Sequence, residues 1–468
     1  MPSKLLFLEF NEICIELIDS WIKEGKLPNF SKLRNDSMYF NTLSDEQTVN
    51  LEPWIQWHSI HVGKSYNTHK VFELTDGTRC ELDNIWQAIK NEGHNVASIG
   101  SMNVKAFTGE DCVYIPDPWC NAEKSHPEYL QPSYDFLSQS VLGHSNNNRT
   151  SFSNNIKTLI NLRKNGLSNS TIFKIVKQVL LQKFNHKKHS WKAATLLDLI
   201  QFDLAKKTIE DKDPKFITFF SNSVAHFQHA YWRYLQPEKF SSDIGKENYE
   251  LYKDSIYYGY SKLDQLLGNF TKLAEKHNYK LIVCSALSQR PYLAYENSGG
   301  RHYYRLNDEW LFLNQLGIDT KEVKIYPIMA QQYKLTVKDP SKTNQYLELL
   351  SQVKIHSEDT QVFDATSDED GIITFGCQVF KPISDDTKIS FNENHFNFYD
   401  SFYKMQDIKS GEHDPTGLLF LPKDINYTKQ PEDVVSILDI TPTILDIFGI
   451  TPSNKFKSEC EGNSLVTN

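Results

Sequence analysis

The stretch Lys409-Ser-Gly-Glu-His-Asp-Pro-Thr-Gly-Leu-Leu-Phe-Leu421 decides the fold of this chain. It is a polar loop that carries His413 and runs directly into an apolar segment, which predicts a buried strand. An amphipathic helix is predicted over Val434–Phe448, with Gly449 as its C-cap. We therefore expect the chain to close with a His-bearing loop, a buried strand and a helix.

Composition places the chain among globular proteins with one large domain carrying insertions, or with two domains. Of its 468 residues, 39% are hydrophobic and 13% aromatic, enough for a sizeable core and against global disorder. The net charge of −9 argues against a dedicated nucleic-acid binder. No apolar run is long enough for a membrane span, and the apolar start is too short for a signal peptide. The seven cysteines are scattered without a C-x-x-C pair, which favours free thiols in the cytoplasm.

Short apolar runs that alternate with helical patterns predict an α/β fold. The predicted strands are Leu5–Phe10, Asn95–Ile99, Phe216–Ser221 and Leu281–Ser285. A helix is predicted over Glu12–Glu24. This alternation is typical of a mainly parallel sheet covered by helices on both faces, whose ligand site lies at the carboxyl ends of the strands. Glu9–Asn11, Asn222 and Ser285 end predicted strands, so we expect them near the site.

A basic helical insertion is predicted over residues 137–197. Between Leu137 and Leu197 there is no acidic residue, but there are ten basic ones: Arg149, Lys157, Arg163, Lys164, Lys174, Lys177, Lys183, Lys187, Lys188 and Lys192. Thr171–Phe184 has helical apolar spacing, with lysines expected on the other face. One interpretation is a solvated basic face. The other is a lid or docking surface for an anionic partner, namely an acidic lipid headgroup, a nucleotide-sugar or an anionic glycan.

Several segments resemble, in the right order, the alkaline phosphatase superfamily, particularly its type I phosphodiesterase and nucleotide pyrophosphatase branch. They are Leu5–Asn11, Glu52–His69, Phe216–His229, Lys409–Leu421 and Ile440–Gly449. The resemblance implies an alkaline-phosphatase-like α/β core over 1–323 and 400–468, with the basic insertion inside it. Residues 324–399, which alternate short β-like runs with turns, are predicted to form a smaller α+β cap insertion.

The resemblance also implies two metal sites that clamp phosphoryl oxygens. For the first site the matching residues are Asn222, His226 and His413, and His229 could substitute for or support His226. The second site would use the acid after the first strand, where this chain has Glu9 or Asn11. It would also use an Asp-His pair, but Ala286 and Leu287 stand there and cannot hold an ion. We therefore expect one divalent metal at most, and no metal is an equally open reading.

The family's nucleophilic Thr or Ser is also missing. In the family this residue lies one helix before a Gly that matches Gly63, and the matching position here is Pro53. Its neighbour Glu52 is the nearest reactive side chain. Glu52 would act as a general base or as a nucleophile at an anomeric carbon, or it would simply stabilise the first turn of the helix.

Further polar and aromatic residues are candidates for substrate binding. Arg301 and Arg305 follow the Gly-Gly pair at 299–300. They would either bind phosphate or be ordinary surface residues. Trp57 would face a sugar ring or belong to the core. The complete set of predicted substrate-binding residues is Asn11, Trp57, His69, Gln289, Arg290, Arg301 and Arg305.

These features lead to a functional hypothesis with two alternatives. The chain is expected to be a hydrolase or transferase acting on a phosphate-containing glycan precursor or nucleotide-sugar, with Glu52, His226 and His413 as catalytic residues. Family context adds surface-polysaccharide synthesis and a cytoplasmic location, peripheral to the inner face of the membrane. The first alternative is a metal-independent glycosyltransferase that uses Glu52 as base. The second is a catalytically inactive protein that binds an anionic glycan or lipid.

Overall fold

A computed structural model describes residues 4–48, 50–120, 123–145, 162–241, 244–298, 300–328, 331–368, 370–405, 409–450 and 454–467. Its centre is an eight-stranded sheet in the order β20-β2-β19-β6-β1-β5-β3-β4. The strands of this sheet are β1 (Lys4–Phe10), β2 (Ser37–Leu43), β3 (Val96–Ile99), β4 (Val113–Ile115), β5 (Phe216–Ser221), β6 (Tyr279–Ser285), β19 (Thr416–Pro422) and β20 (Val434–Ser436). All neighbours pair in parallel except β19, which runs antiparallel to both β2 and β6. The predicted mainly parallel α/β sheet is therefore confirmed.

Helices cover both faces of this sheet. They are α1 (Ile15–Lys23), α2 (Pro28–Asp36), α3 (Pro53–Val62), α4 (Tyr66–His69), α5 (Ile85–Asn91), α6 (Gln131–Ser145), α7 (Asn169–Phe184), α8 (His186–His189), α9 (Ala194–Lys212), α10 (Ser223–Leu235), α11 (Lys246–Tyr252), α12 (Ser255–His277), α16 (Ile440–Phe448) and α17 (Lys455–Ser458). Successive side chains of a strand point to opposite faces. Accordingly, Leu6 and Leu8 pack into one apolar core and Leu5 and Phe7 into another. Both faces of β1 are buried, which explains its apolar sequence from Leu5 to Phe10, broken only by Glu9.

A third apolar core lies outside the large sheet. It contains residues from Tyr304 to Phe402. Its elements are β8 (Tyr304–Leu306), α13 (Glu309–Gln315), β9 (Val323–Pro327), β10 (Gln332–Val337), α14 (Thr343–Ser351), β11 (Lys354–Ile355), β12 (Thr360–Gln361), β13 (Phe363–Ser367), β14 (Ile373–Cys377), β15 (Lys388–Phe391), β16 (Asn394–Asn397), α15 (Phe398–Ser401) and β17 (Phe402–Lys404). β8 pairs with β17, so this packing unit begins before the predicted boundary at residue 324.

The remaining two strands form a two-stranded antiparallel ladder beside the large sheet. β7 (Ser288–Pro291) pairs antiparallel with β18 (Gly411–Asp414), and His413 is opposite Gln289. β7 directly follows β6, and β18 directly precedes β19. The loop that decides the fold is therefore anchored to the end of β6.

Two local predictions were wrong. The helix predicted over Val434–Phe448 begins only at Ile440, because the first three residues pair with β2 as strand β20. Gly449 does end this helix in a left-handed conformation with a φ of 91°. The helix predicted from Glu12 begins at Ile15, because Glu12 itself adopts a left-handed turn.

The described chain contains no membrane-spanning helix, since none of its helices is both long enough and apolar enough. None of the seven cysteines, all of which lie in the described part of the chain, forms a disulfide. Of the predicted residues, Arg149 and Lys157 lie outside the described part of the chain.

Candidate functional site

The site is built at the carboxyl ends of the central strands. β1 lies between β6 and β5, so Asn11, Ser285 and Asn222 meet along one edge of the sheet. Asn11 Nδ2 donates a hydrogen bond of 2.7 Å to Asn222 Oδ1. Ser285 Oγ accepts from the backbone N–H of Ile13, 3.1 Å away, and so holds the chain that leaves β1. The predicted meeting of these strand ends is confirmed.

Glu12 is turned into this edge by an unusual backbone conformation. Its φ is 59°, in the left-handed region that side chains other than Gly and Asn rarely occupy. Its side chain is only 3% exposed. Asn11 Nδ2 donates to Glu12 Oε1 at 2.8 Å, and Gln289 Nε2 donates to Glu12 Oε2. A buried carboxylate in a strained conformation points to a function for its position.

Two histidines face the same carboxylate. His229 Nε2 lies 3.0 Å and His413 Nε2 3.5 Å from Glu12 Oε2, and one ligand atom from each of the three residues falls within 4.8 Å of the others. His229 Nδ1 lies 3.0 Å from the carbonyl of Gly411, and His413 Nδ1 2.8 Å from the carbonyl of Leu51. A carbonyl only accepts, so each Nδ1 carries the proton.

With Nδ1 anchored in this way, the Nε2 atom of each ring faces the Glu12 carboxylate, and an unprotonated Nε2 is an acceptor like the carboxylate itself. Two acceptors at these distances repel each other unless a proton or a cation lies between them. A histidine with its Nδ1–H anchored to a carbonyl and its Nε2 beside a carboxylate is the usual arrangement around a bound metal. The donor set of Glu12, His229 and His413 therefore fits one divalent ion.

The charges in this cluster are set by burial and proximity. Burial alone would raise the pKa of Glu12, but the neighbouring His413 and His229 outweigh it and lower the pKa to about 2. Burial lowers the pKa of His413 to about 4, against the opposing effect of Glu12. Near neutral pH the cluster therefore contains an ionised carboxylate and a neutral His413 imidazole, the protonation states that metal ligation requires.

Glu52 extends the site from the other side of His413. It is the N-cap residue of α3, and its Oε2 lies 3.5 Å from His413 Nδ1. Its side chain is 35% exposed, yet burial raises its pKa to about 7, while the charges of Lys409 and Arg301 oppose the rise. His413 therefore touches two carboxylates, one with a depressed and one with a raised pKa.

Two cations stand beside Glu52 among aromatic rings. The Arg301 guanidinium lies 3.9 Å from the ring centre of Phe380 and 5.2 Å from that of Tyr303. Lys409 lies 5.4 Å from the ring centre of Tyr292, and burial lowers its pKa. Within the described residues neither cation forms an ion pair with a carboxylate. Partly buried cations without acidic partners favour an anionic ligand. We call the set Glu12, Glu52, His229, Arg301, Lys409 and His413 the edge site.

The model of the family described as "Type I phosphodiesterase / nucleotide pyrophosphatase" matches residues 14–373. The chain belongs to this phosphodiesterase family, within the alkaline phosphatase superfamily. The matched range includes Glu52, His229 and Arg301 but ends before Lys409 and His413. Members of the family are phosphoester hydrolases.

Several solved structures are similar to this phosphodiesterase-family chain. Murine ectonucleotide pyrophosphatase / phosphodiesterase 5 is 11% identical, with 99% of this chain and 100% of that chain covered and a TM-score of 0.41. Phosphonoacetate hydrolase from Sinorhizobium meliloti 1021, in complex with phosphonoacetate, is 12% identical, with 96% of each chain covered and a TM-score of 0.39. An inactive form of the murine enzyme in complex with AMP is 10% identical, with 96% of each chain covered and a TM-score of 0.39. No curated protein matched the sequence.

The pair Ala286–Leu287, at the position predicted for the second metal site, is buried. Ala286 and Leu287 are both 0% exposed and belong to the apolar core on one face of the sheet. Ser44 Oγ donates to the Ala286 carbonyl at 3.0 Å, and Ser285 Oγ donates to the Leu287 carbonyl at 2.7 Å, so the backbone here is held in place. Glu9 is also absent from the edge site: it is 0% exposed and lies 2.8 Å from His61 Nε2 inside the core.

The amides predicted to be ligands support the site instead. Asn222 Oδ1 is occupied by Asn11 Nδ2, and Trp57 Nε1 donates to Asn11 Oδ1 at 2.8 Å. Trp57 is 0% exposed, so its prediction as a sugar-stacking residue was wrong. His226 is half-buried on α10 beside Phe227, outside the three-residue cluster, and His229 one turn later takes part in it. The roles predicted for His226 stay predictions.

Other predicted substrate-binding residues separate into two groups. Gln289 and Arg301 lie at the edge site, whereas Arg290 points outward and pairs with Glu412 at 2.9 Å. Arg305 is 1% exposed and donates to the carbonyls of Ile328 and Gln332, so it stabilises the third core and its predicted role was wrong. His69 is buried, and its Nε2 donates to Ser59 Oγ at 2.9 Å because its Nδ1 accepts from a backbone N–H. His69 therefore braces the end of α3.

Sequence reasoning missed Glu12 as part of the site, because the spacing of its neighbours placed it inside a helix. The available signal was its position directly after a buried strand. It also missed Lys409, Tyr303 and Phe380. Phe380 belongs to the third core region and reaches Arg301 only through the tertiary fold.

Proposed function

We propose that the chain is a phosphoester hydrolase or transferase that acts on a phosphate-containing glycan precursor or a nucleotide-sugar, with at most one metal ion. A single observation carries the proposal: His413 lies 3.5 Å from both Glu12 and Glu52, whose pKa values are about 2 and about 7. Two neighbouring carboxylates with separated pKa values can divide ligand and base roles between them.

Glu12, His229 and His413 would hold the divalent ion. When bound, that ion would supply positive charge to the phosphoryl oxygens. In the proposed reaction, the Glu52 carboxylate takes the proton of an attacking hydroxyl as the new oxygen–phosphorus bond forms. The bond between phosphorus and the leaving oxygen breaks, and the leaving oxygen keeps the electron pair. Pro53, at the family's nucleophile position, has no group that could form a covalent intermediate, so the acceptor is water or a substrate hydroxyl.

Lys409 and Arg301 would bind the anionic part of the substrate. Within the described residues neither cation forms an ion pair, although both charges act on Glu52, and the rings of Tyr292, Tyr303 and Phe380 surround them. Flat aromatic faces next to cations suit a nucleobase or a sugar attached to phosphate. This combination supports a nucleotide-sugar or glycan-phosphate substrate over a phosphoester that has neither a sugar nor a nucleobase.

The test separates turnover from binding. Purified wild type and Glu52→Gln are compared with nucleoside-diphosphate sugars, sugar phosphates and an aryl phosphodiester, by product release and by calorimetric binding. We expect Glu52→Gln to bind the same ligand with unchanged affinity and to lose turnover, whereas the exposed control Glu81→Gln retains both. Equal turnover by wild type and Glu52→Gln would overturn the base role. Two metal ions per chain, measured by elemental analysis, would overturn the single-ion assignment.

A second candidate is metal-independent glycosyl transfer with Glu52 as the base for the acceptor hydroxyl. It is favoured by the apolar closure of the second metal position at Ala286 and Leu287. Here Glu52 takes the proton of the acceptor hydroxyl as the acceptor oxygen bonds to the anomeric carbon, and the bond between that carbon and the donor's diphosphate breaks. The diphosphate leaves with the electron pair. The two reactions differ in product and in chelator sensitivity: a glycosylated acceptor formed in the presence of chelator supports this candidate. Ligand binding without any product would indicate an inactive binding protein.

The cellular context forms part of the same proposal. A role in surface-polysaccharide synthesis would match a glycan-phosphate substrate, and seven cysteines without a disulfide support a reducing, cytoplasmic compartment. Contact with an anionic membrane or glycan would involve the basic insertion. Fractionation of cells that produce the tagged protein tests the location: recovery in the periplasmic or extracellular fraction would contradict it.

A further inference from the structure

Helix α7 packs on the protein through a narrow side. Its buried residues are Thr171, Ile175 and Gln178, which recur on one face of the helix. Gln178 Nε2 donates to the backbone carbonyl of His189 at 2.5 Å, and Ser168 caps the first turn by accepting from Thr171 N–H. Ile172, which is partly buried, also packs against the core. The helix is therefore attached through Thr171, Ile175 and Gln178 with Ile172 beside them, and its other side leaves apolar residues outside the core.

The opposite face of α7 exposes an apolar stripe. Phe173 is 67%, Val176 44%, Leu180 61% and Phe184 89% exposed. Their spacing of three, four and four residues places them along one face, turned away from Thr171, Ile175 and Gln178. The sequence predicts lysines on the face opposite the apolar positions of this helix, and the structure exposes these four apolar side chains as well. We call Phe173, Val176, Leu180 and Phe184 the α7 stripe.

Lysines border the α7 stripe on both sides. Lys174, Lys177, Lys183 and Lys188 are exposed, and within the described chain none of them pairs with a carboxylate. Lys187 alone is paired, with Glu247 at 2.8 Å. No Asp or Glu occurs between Leu137 and Leu197 in a chain whose net charge is −9. The partner that this surface fits is therefore both apolar and negatively charged.

An anionic lipid bilayer has both properties. An interfacial helix inserts bulky apolar side chains below the headgroups while flanking lysines contact acidic lipids. Nucleic acid would match the lysines but not a stripe with Phe184 at 89% exposure. We propose that α7 docks the protein reversibly on an anionic membrane surface through the α7 stripe and its flanking lysines.

Ring contacts beyond the carboxyl end of α7 reach the helix that carries His229. The carboxyl end of α7 leads through α8 to Trp191, whose ring packs edge-on against Phe227 and Tyr231 of α10. α10 begins directly after Asn222, at the carboxyl edge of the sheet, and carries His229. Docking through α7 would therefore bring the substrate-binding edge close to the bilayer. This orientation rests on the proposed function, whereas the docking itself does not.

Vesicle flotation of the full-length protein tests the docking. Vesicles of phosphatidylcholine alone are compared with vesicles that also contain phosphatidylglycerol, at low and high salt. We expect flotation only with phosphatidylglycerol, weakened by salt. Lys177→Gln and Lys183→Gln should each lower the partition coefficient about fivefold. The double substitution Leu180→Ser and Phe184→Ser should lower it more than tenfold, an estimate based on about 0.8 kcal/mol per CH₂ withdrawn from the membrane.

The matched control is Leu311→Ser, which changes a leucine of similar exposure, 56% against 61% for Leu180, on the distant helix α13. It should float like the wild type, and circular dichroism should show that all variants are folded. Absence of flotation by wild type, or an equal loss in Leu311→Ser, would overturn the proposal. So would a concentration-dependent dimer that the stripe substitutions dissociate without changing vesicle binding. Flotation needs no turnover, so failure of the catalytic proposal would not affect this result.

Discussion

Replacing Glu52 with Gln should remove the acid limb of the pH–rate profile. The raised pKa of about 7 means that Glu52 is half ionised at pH 7. A carboxylate base is active only when ionised, so activity is lost as pH falls through that pKa. At pH 5 about one hundredth of the groups are ionised, so kcat/KM should be about 100-fold below its plateau. Glu52→Gln should be about 10²- to 10⁴-fold slower than the plateau and flat across this range.

The charges around Glu52 also predict how the acid limb of the pH–rate profile should shift. The Lys409 charge lowers the pKa of Glu52, so Lys409→Met should shift the limb to higher pH. Lys404→Met, at an exposed lysine of β17, should leave it in place. The measurement is kcat/KM from pH 5 to pH 9 on any ester that the wild type cleaves or transfers. A limb that persists in Glu52→Gln, or that stays fixed in Lys409→Met, would refute the assignment of Glu52.

Three further predictions concern stability and metal content. Burial raises the pKa of Asp117 from 3.8 to about 7, so its ionisation destabilises the folded state above pH 7, and this destabilisation disappears as pH falls toward 3.8. Relative to wild type, Asp117→Asn should therefore gain about 4 kcal/mol in unfolding free energy between pH 4 and pH 8, measured by urea titration. A difference that does not depend on pH would contradict this. Introducing Asp and His through Ala286→Asp and Leu287→His should lower the unfolding free energy by about 3 kcal/mol or more, because the new polar groups would lie in an apolar core, and should not raise the metal content. A divalent ion at about 100 times its Kd should stabilise wild type by about 2.7 kcal/mol but leave the stability of Glu12→Gln unchanged. Differential scanning fluorimetry with and without chelator measures this. Equal shifts of the melting temperature in both proteins would remove Glu12 from the ligand set.

Most of the fold could be predicted from the sequence, because its signals are local. Nearly continuous apolar runs such as Leu5–Phe10, in which Glu9 is the one polar residue, are typical of strands buried on both faces of a parallel sheet, and the structure places that run at the centre. Strand ends meet at one edge, so the proximity of Asn11, Asn222 and Ser285 followed from the topology. The start of the third core near Tyr304 did not, because the antiparallel pairing of β8 with β17 joins residues far apart in sequence.

Less of the site could be predicted, because its chemistry depends on side-chain direction. A helical spacing puts both His226 and His229 within reach of the strand ends, but only the packing of α10 against β18 selects His229, through its hydrogen bond to the Gly411 carbonyl. The left-handed turn that directs Glu12 at the two histidines has no signature in a residue type that usually avoids it. Arg301 and Arg305 look alike in sequence, yet one faces Glu52 and the other fills the third core.

The sequence by itself determined the frame and its losses. The His413 loop, the strand and helix that follow it, and the apolar pair Ala286–Leu287 are readable residue by residue. The family match over residues 14–373 confirms the phosphodiesterase family that the sequence predicts. The loss of the second metal position stays a prediction. Only the tertiary structure decided what replaces the missing chemistry. Burial and neighbouring charges separate the pKa values of Glu12 and Glu52, and the packing of α7 turns its apolar residues outward. Both effects arise from distances between residues that are remote in sequence, which no local pattern encodes.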